Sequence, residues 1–314
     1  MIDLAAERIV ITGGDGFLGR HLQAALKLAG AKTLLVPTIE RYDLTQAASV
    51  ERMYADMQPT VVVHLAAQVG GIGANRENPG WFFYSNMAMG LHMIEQARKA
   101  GLKKFVQLGT VCAYPKFTPV PFREEELWNG YPEETNAPYG IAKKAMLVML
   151  QGYRQQYGLG GIFLLPVNLY GPGDNFNPSS SHVIPALIRK FVLAKRGRDK
   201  EVVVWGTGTV SREFLYVEDC ASGIVLATQK YDRPDPVNLG CGSEITIRDL
   251  ADRIAGIVGF DGRIVYDKTK PDGQPRRCLD TSKAEAYFGF KAQVGLDEGL
   301  KKTIDWAVAQ PGLF

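Results

Sequence analysis

The sequence predicts an α/β protein built on a doubly wound parallel sheet, with a smaller α/β lobe toward the C-terminal end. Three observations carry that prediction. Short β-branched runs alternate with longer amphipathic stretches through the first half of the chain, a glycine-rich loop joins the first run to the first helix pattern, and the texture changes after about residue 170.

The candidate strands are "RIVIT" at 8–12, "TLLVP" at 33–37, "TVVVHLA" at 60–66, "KFVQLG" at 104–109 and "IFLLPV" at 162–167. They are apolar on both faces, as strands of a parallel sheet covered by helices must be. Helix patterns lie between them, from Phe17 to Ala29, Trp81 to Ala100 and Tyr139 to Tyr157, the last followed by Gly158 as a natural C-cap. Strand and helix in alternation build a doubly wound sheet.

From residue 168 the stretch "NLYGPGDNFNPSSSH" is rich in Gly, Pro, Asn and Ser, shorter elements follow, and "KPDGQPRR" forms a second loop at 270–277. Residues 1–170 are therefore expected to form one domain and 171–314 most of a second lobe, with parts of 214–240 returning to the first. Thr246 is a candidate N-cap and "SKAE" at 282–285 a candidate capping box. The sequence holds no internal repeat, low-complexity tract or heptad run.

A chain of 314 residues, 46% hydrophobic, can bury a large core and exceeds the usual size of one domain. Its net charge of +3 is too small to argue for duplex nucleic acid, so an acidic partner should be a small molecule. Cys112, Cys220, Cys241 and Cys278 are scattered without a CxxC pair and read as reduced thiols of a cytoplasmic protein. The start, "MIDLAAERIVITGG", lacks the pattern of a secretion signal, and no apolar stretch is long enough to span a membrane.

"VITGGDGFLG" sets Gly14, Gly16 and Gly19 in GxGxxG spacing, with Gly13 beside them, directly after a strand and opening a helix. Such glycines allow a tight turn and close approach of backbone to a pyrophosphate at the helix N-terminus, which makes this a Rossmann-type, dinucleotide-binding sheet. NAD or NADP is the expected cofactor. At the end of the second strand, "VPTIERYDL", no acid stands at 37–39, Glu40 comes late and Arg41 follows. That arrangement leans toward NADP, while Asp43 reads as the polar residue of the next turn.

"YGIAK" carries Tyr139 and Lys143 at i and i+4, phenol and ammonium on one helix face, with Pro138 favouring a helix start. An ammonium close to a phenol is expected to lower its pKa and fit it for proton transfer at a carbonyl. Thr110 adds a hydroxyl at a strand's C-terminal end, where ligands bind in such sheets.

Together the glycine loop, Thr110, Tyr139 and Lys143 resemble the extended short-chain dehydrogenase/reductase family, over a span from Ile9 to about Trp306. Within it, "AAQVGGIGANRENP", "CAYPK", "ETNAPYGIAK" and "NLYGPGDNFNPSSSHVIPALIRK" resemble the branch acting on GDP-linked 4-keto-6-deoxy sugars. The resemblance implies NADP(H) as cofactor, a GDP-sugar as substrate, epimerisation at C3 and C5 followed by reduction at C4, and a homodimer formed through the helices near 81–100 and 139–157. Other members point to alternatives: a C4 reductase without epimerisation, a colitose-type synthase, a 4-epimerase holding NAD, or a non-catalytic dinucleotide sensor.

Carried over by position, the resemblance makes Cys112 and His182 the proton shuttles, Tyr139 the acid at C4, Lys143 its modulator and Thr110 a carbonyl donor. A thiol beside a cation and an imidazole can both exchange protons near neutrality. The cofactor is expected against Gly13, Gly14, Asp15, Gly16, Phe17, Leu18 and Gly19, then Arg41, then Leu108, Gly109, Thr110 and Val111. Tyr139, Lys143, Pro166, Val167, Asn168, Leu169 and His182 complete that set. Asn168, Lys190, Trp205, Arg212 and Asp272 are the implied substrate contacts, and no metal is implied. His64 and His92 read as structural and His21 as a solvated helix residue, while "QPRRC" remains open.

Two departures from the family stand out. Asp15 and, after the second strand, Pro37 and Ile39 occupy places where some members carry arginines for the 2′-phosphate. Thr110 stands where many have serine, and either hydroxyl can donate to a ketone.

Overall fold

Runs that are apolar on both faces become the strands of a central sheet whose inner strands are covered on both sides, while the edge strand at Thr33–Leu35 is half-buried. The computed structural model describes residues 1–70, 72–270 and 272–314. Gly71, in the "AAQVGGIGANRENP" motif, and Pro271, in the "KPDGQPRR" loop, lie outside the described residues. In chain order the first part comprises β1 (Arg8–Thr12), α1 (Phe17–Leu28), β2 (Thr33–Leu35), α2 (Ala47–Met57), β3 (Val61–His64), α3 (Ile72–Glu77), α4 (Pro79–Lys99), β4 (Lys104–Leu108), α5 (Ala137–Tyr157) and β5 (Gly161–Pro166). There follow β6 (Asn168–Tyr170), α6 (Val183–Gly197), β7 (Glu201–Trp205), β8 (Ser211–Tyr216), α7 (Val217–Lys230), β9 (Pro236–Leu239), β10 (Glu244–Thr246), α8 (Ile247–Val258), β11 (Arg263–Asp267), α9 (Ser282–Phe288) and α10 (Leu296–Ala309).

Six strands form a parallel sheet in the order β2-β1-β3-β4-β5-β9. Every residue of β3 and β4 is buried, which is why neither shows a polar alternate face in the sequence. The strand order turns back between β1 and β3, so a crevice opens at the C-terminal end of β1, where the glycine loop lies. β2 stops at Leu35, short of the predicted 37, because Pro37 has no N–H to extend the ladder.

Much of the rest of the chain builds a second core around Ile188, Phe191, Leu250, Ile254 and Leu300. Leu279, Ala284, Phe288 and Phe290 pack in the first core, so the segment carrying α9 returns to it as well as the expected parts of 214–240. It carries a three-stranded sheet, β10-β8-β6, and a parallel pair, β11-β7. α7 packs on α1, and β9 pairs with β5 at the edge of the main sheet.

Local caps follow the sequence in two of three places. Gly158 adopts φ 72° and closes α5, and the Thr246 hydroxyl accepts the Asp249 N–H at 3.0 Å at the start of α8. The expected capping box at 282–285 does not form: Ser282 lies inside α9, and its N–H and hydroxyl both go to the Asp280 carboxylate. An acid two residues upstream competes successfully for the serine.

Candidate functional site

The glycine loop is shaped by close approach. Gly13 has φ +68°, and a Cβ there would come within 3.0 Å of the Ala66 nitrogen. A Cβ on Gly14 would meet Val36 at 2.7 Å and one on Gly19 the Gly13 carbonyl at 2.3 Å. Gly16 precedes α1 without a side-chain cap, leaving the helix N-terminus open toward a phosphate. Asp15 and Gly16 are exposed and Phe17 and Leu18 half-buried along the same rim.

α1 also holds the far side of the crevice. Arg20 donates to the carbonyls of Asp15 at 3.0 Å and Gly173 at 3.2 Å, and the His21 ring donates to the Pro172 carbonyl at 2.8 Å. His21 is therefore a half-buried clip and not the solvated residue expected; the partner comes from a loop 151 residues away. Past β2, Arg41 is exposed, pairs with Asp56 at 3.3 Å and lies over the Tyr42 ring at 5.0 Å. Arg52 flanks the same ring at 5.6 Å. Two guanidiniums at one corner suit a ribose 2′-phosphate, although Pro37 is buried and Ile39 offers no charge. Asp43 caps the following turn, accepting from the Thr45 N–H at 2.9 Å.

At the end of β4, Leu108, Gly109, Thr110 and Val111 are all buried. The Thr110 hydroxyl accepts the Cys112 N–H at 3.1 Å and so starts a single 3-10 turn, Val111–Ala113, that presents the thiol. α5 presses on this turn, which brings Tyr139 beside Thr110 and Cys112. Burial raises the Tyr139 phenol; negative charge on Cys112 raises it further, and hydrogen bonding to Thr110 opposes both. Lys143, fully enclosed, is pulled down to about 8 by burial. The expected lowering of the phenol by the ammonium is thus reversed, because desolvation disfavours charge on both groups.

His64 is held by Thr12, Oγ1 to Nδ1 at 2.7 Å, and burial followed by the Lys143 charge keeps its imidazole well below the ordinary value. That is the structural role expected of it. His92 is half-buried on α4. His182 stands at the N-cap position of α6 without a side-chain cap bond; the residue as a whole is exposed, while desolvation of the ring lowers its imidazole below the ordinary value.

The β5–β6 junction carries Pro166, Val167, Asn168 and Leu169, with the Asn168 amide donating to the Glu213 carbonyl at 3.1 Å. In the second lobe Lys190 donates to the Val203 carbonyl at 2.7 Å and lies 5.4 Å from the ring centre of Trp205, whose indole is 64% exposed. An open aromatic face beside a cation can stack on a base. Asp272 accepts the N–H and hydroxyl of Thr207, both at 2.8 Å, and its carbonyl accepts Arg212 at 3.1 Å. Burial, then the neighbouring Arg277, pulls Arg212 down to about 10.

Arg277 is the site residue that sequence reasoning left open. It is buried, its guanidinium meets the Cys112 sulfur at 3.7 Å, and its charge is near enough to Arg212 to lower that group. Its neighbour Arg276 points outward to Glu244, so adjacent arginines in an extended loop have opposite fates. Among the described residues no His, Cys, Asp and Glu cluster could hold a metal, and no helix is long and apolar enough to cross a membrane.

The model of the NAD dependent epimerase/dehydratase family matches residues 9–240. The chain is 43% identical over 302 residues to a probable GDP-L-fucose synthase 1 of Oryza sativa subsp. japonica, covering 96% of this chain and 92% of that protein. It is 39% identical to the GDP-L-fucose synthase of Escherichia coli (strain K12), covering 99% of each. Its structure superposes on a GDP-L-fucose synthetase from Naegleria fowleri bound to NADP with a TM-score of 0.90 at 26% identity, over 98% of this chain and 96% of that one.

Proposed function

The chain belongs to the NAD dependent epimerase/dehydratase family, and from that premise we propose that it converts GDP-4-keto-6-deoxy-D-mannose to GDP-L-fucose with NADPH. The reaction epimerises C3 and C5 and then reduces the C4 ketone. The observation that carries this reading is the meeting of hydroxyl, thiol and phenol at one corner, Thr110, Cys112 and Tyr139, since simple reduction would have no use for the thiol.

A 4-ketone acidifies the hydrogens on C3 and C5. Cys112 and His182 take and return those protons, an exchange to which a thiol beside a cation and an imidazole are suited. The tight glycine cradle and the open start of α1 fit a pyrophosphate, and the Arg41 and Arg52 corner fits the 2′-phosphate of NADP(H). When bound, that cofactor supplies the hydride for C4. Tyr139, its proton held firmly by burial, gives it to the C4 oxygen, with Thr110 donating to the same oxygen and Lys143 beneath.

Lys190, Trp205, Arg212 and Asp272 are assigned to the GDP moiety, Asn168 to the sugar side, and residues 171–314 to the lobe that receives it. Residues 1–170, with parts of 214–240, form the cofactor domain. Exposed Trp81, Tyr84 and Leu91 on α4 and Val148 and Tyr157 on α5 support a homodimer through these helices, and four free thiols support a cytoplasmic setting. The test is turnover of the keto sugar with NADPH in heavy water. GDP-L-fucose carrying deuterium at both C3 and C5 is expected; reduction without label at those carbons would leave a plain C4 reductase.

A further inference from the structure

Among the described residues, the side-chain cation in hydrogen-bond contact with the Cys112 sulfur is Arg277, 165 residues on in the chain. The Arg277 side chain is 7% exposed, and one of its terminal nitrogens faces the Cys112 sulfur at 3.7 Å. Its other two nitrogens clasp the Gln274 carbonyl oxygen at 3.2 and 3.1 Å. The Gln274 amide in turn donates to the Lys116 carbonyl at 2.8 Å, four residues past the cysteine, and Gln274 is itself buried. The Glu213 N–H holds the Arg277 carbonyl at 3.0 Å. Gln274 thus fixes the guanidinium and the thiol-bearing loop together.

A buried guanidinium is costly unless it faces negative charge. Among the described residues Arg277 has no carboxylate partner; its acceptors are one neutral amide and the sulfur. We propose that Arg277, clasped by Gln274, is the positioning residue that holds Cys112 in its charged form during epimerisation. The proposal rests on the epimerase reading above. When the sulfur accepts a proton from the carbon beside the ketone, the C–H electron pair passes into the enolate and the thiolate becomes a thiol. When the thiol returns a proton, the enolate pair forms the new C–H bond and the negative charge goes back to sulfur. Arg277 faces that charge in either direction.

The test has two readouts. One is the rate at which iodoacetamide alkylates Cys112 in the whole protein, followed on the Cys112 peptide by mass spectrometry. The other is deuterium exchange into C3 and C5 of the keto sugar without reduction, with kcat and KM separated. Arg277→Met is expected to slow both alkylation and exchange kcat by roughly 10- to 100-fold, the scale of one lost charge-assisted hydrogen bond, with KM within about threefold. Arg277→Lys should restore much of each rate. Alkylation as fast as in the native protein, or a loss confined to KM, would overturn the proposal and leave Arg277 as a contact for the diphosphate alone. Should Arg277→Met not fold, Gln274→Leu carries the same comparison, with a smaller slowing expected and none overturning it. If the native protein exchanges no deuterium the epimerase reading fails by itself, and alkylation still decides the contact.

Discussion

Gly140 lies so close to Cys112 that a Cβ on it would stand 2.4 Å from the cysteine's carbonyl oxygen. The helix that carries Tyr139 and Lys143 is therefore seated directly on the turn that carries the thiol. Gly140→Ala should raise helix propensity by about 0.5–1 kcal/mol yet cost about 1–3 kcal/mol in overpacking against backbone. A net fall in unfolding free energy is expected, with turnover reduced more than stability alone explains. Chemical denaturation alongside a turnover assay checks both, and unchanged turnover would mean the two elements are not rigidly joined.

Tyr139→Phe removes the phenol proposed to protonate the C4 oxygen and leaves Cys112 and His182 in place. NADPH oxidation should fall by about 10²–10⁴-fold, the usual scale for a lost general acid, while deuterium still enters C3 and C5. Equal loss of both activities would contradict the division of labour between Tyr139 and Cys112.

Lys143 makes stability depend on pH. Its amine is lowered from 10.5 to about 8 by burial, so the unfolded chain binds more protons between those values and stability rises with pH across that interval. Below about 8 the full penalty for the buried charge applies. Lys143→Met should relieve it, stabilising the cofactor-free protein near neutrality by on the order of 1–3 kcal/mol, an advantage that fades toward pH 10.5. Urea unfolding of both proteins across this range measures the difference, and a gap that does not narrow with pH would contradict the assignment.

Arg41 is exposed, held by a surface pair with Asp56 and by its packing over the Tyr42 ring. Arg41→Ala should raise the KM for NADPH by roughly tenfold while leaving that for NADH nearly unchanged, the effect of one lost phosphate contact. Steady-state kinetics with each coenzyme decides it, and a parallel rise in both would place the 2′-phosphate elsewhere.

The parts legible in the sequence are those whose cause is local. Val61, Val62 and Val63 announce a strand covered on both faces, and the i, i+4 spacing of Tyr139 and Lys143 places both groups on one side of α5. Partnerships across long separations were not legible. Arg277 meets Cys112 over 165 residues and His21 meets Pro172 over 151, and nothing periodic marks either. Spacing alone also misjudged the phenol, since it reveals a neighbouring ammonium but not the loss of water around both groups.

The clip from Arg20 and His21 to Gly173 and Pro172 sets where the segment leading to His182 begins. α1 starts at the glycine loop and grips that segment with its second turn. The proposed shuttle His182 thus takes its bearings from the helix that opens at the glycine loop, while the thiol of Cys112 takes its bearings from the loop that carries Gln274 and Arg277.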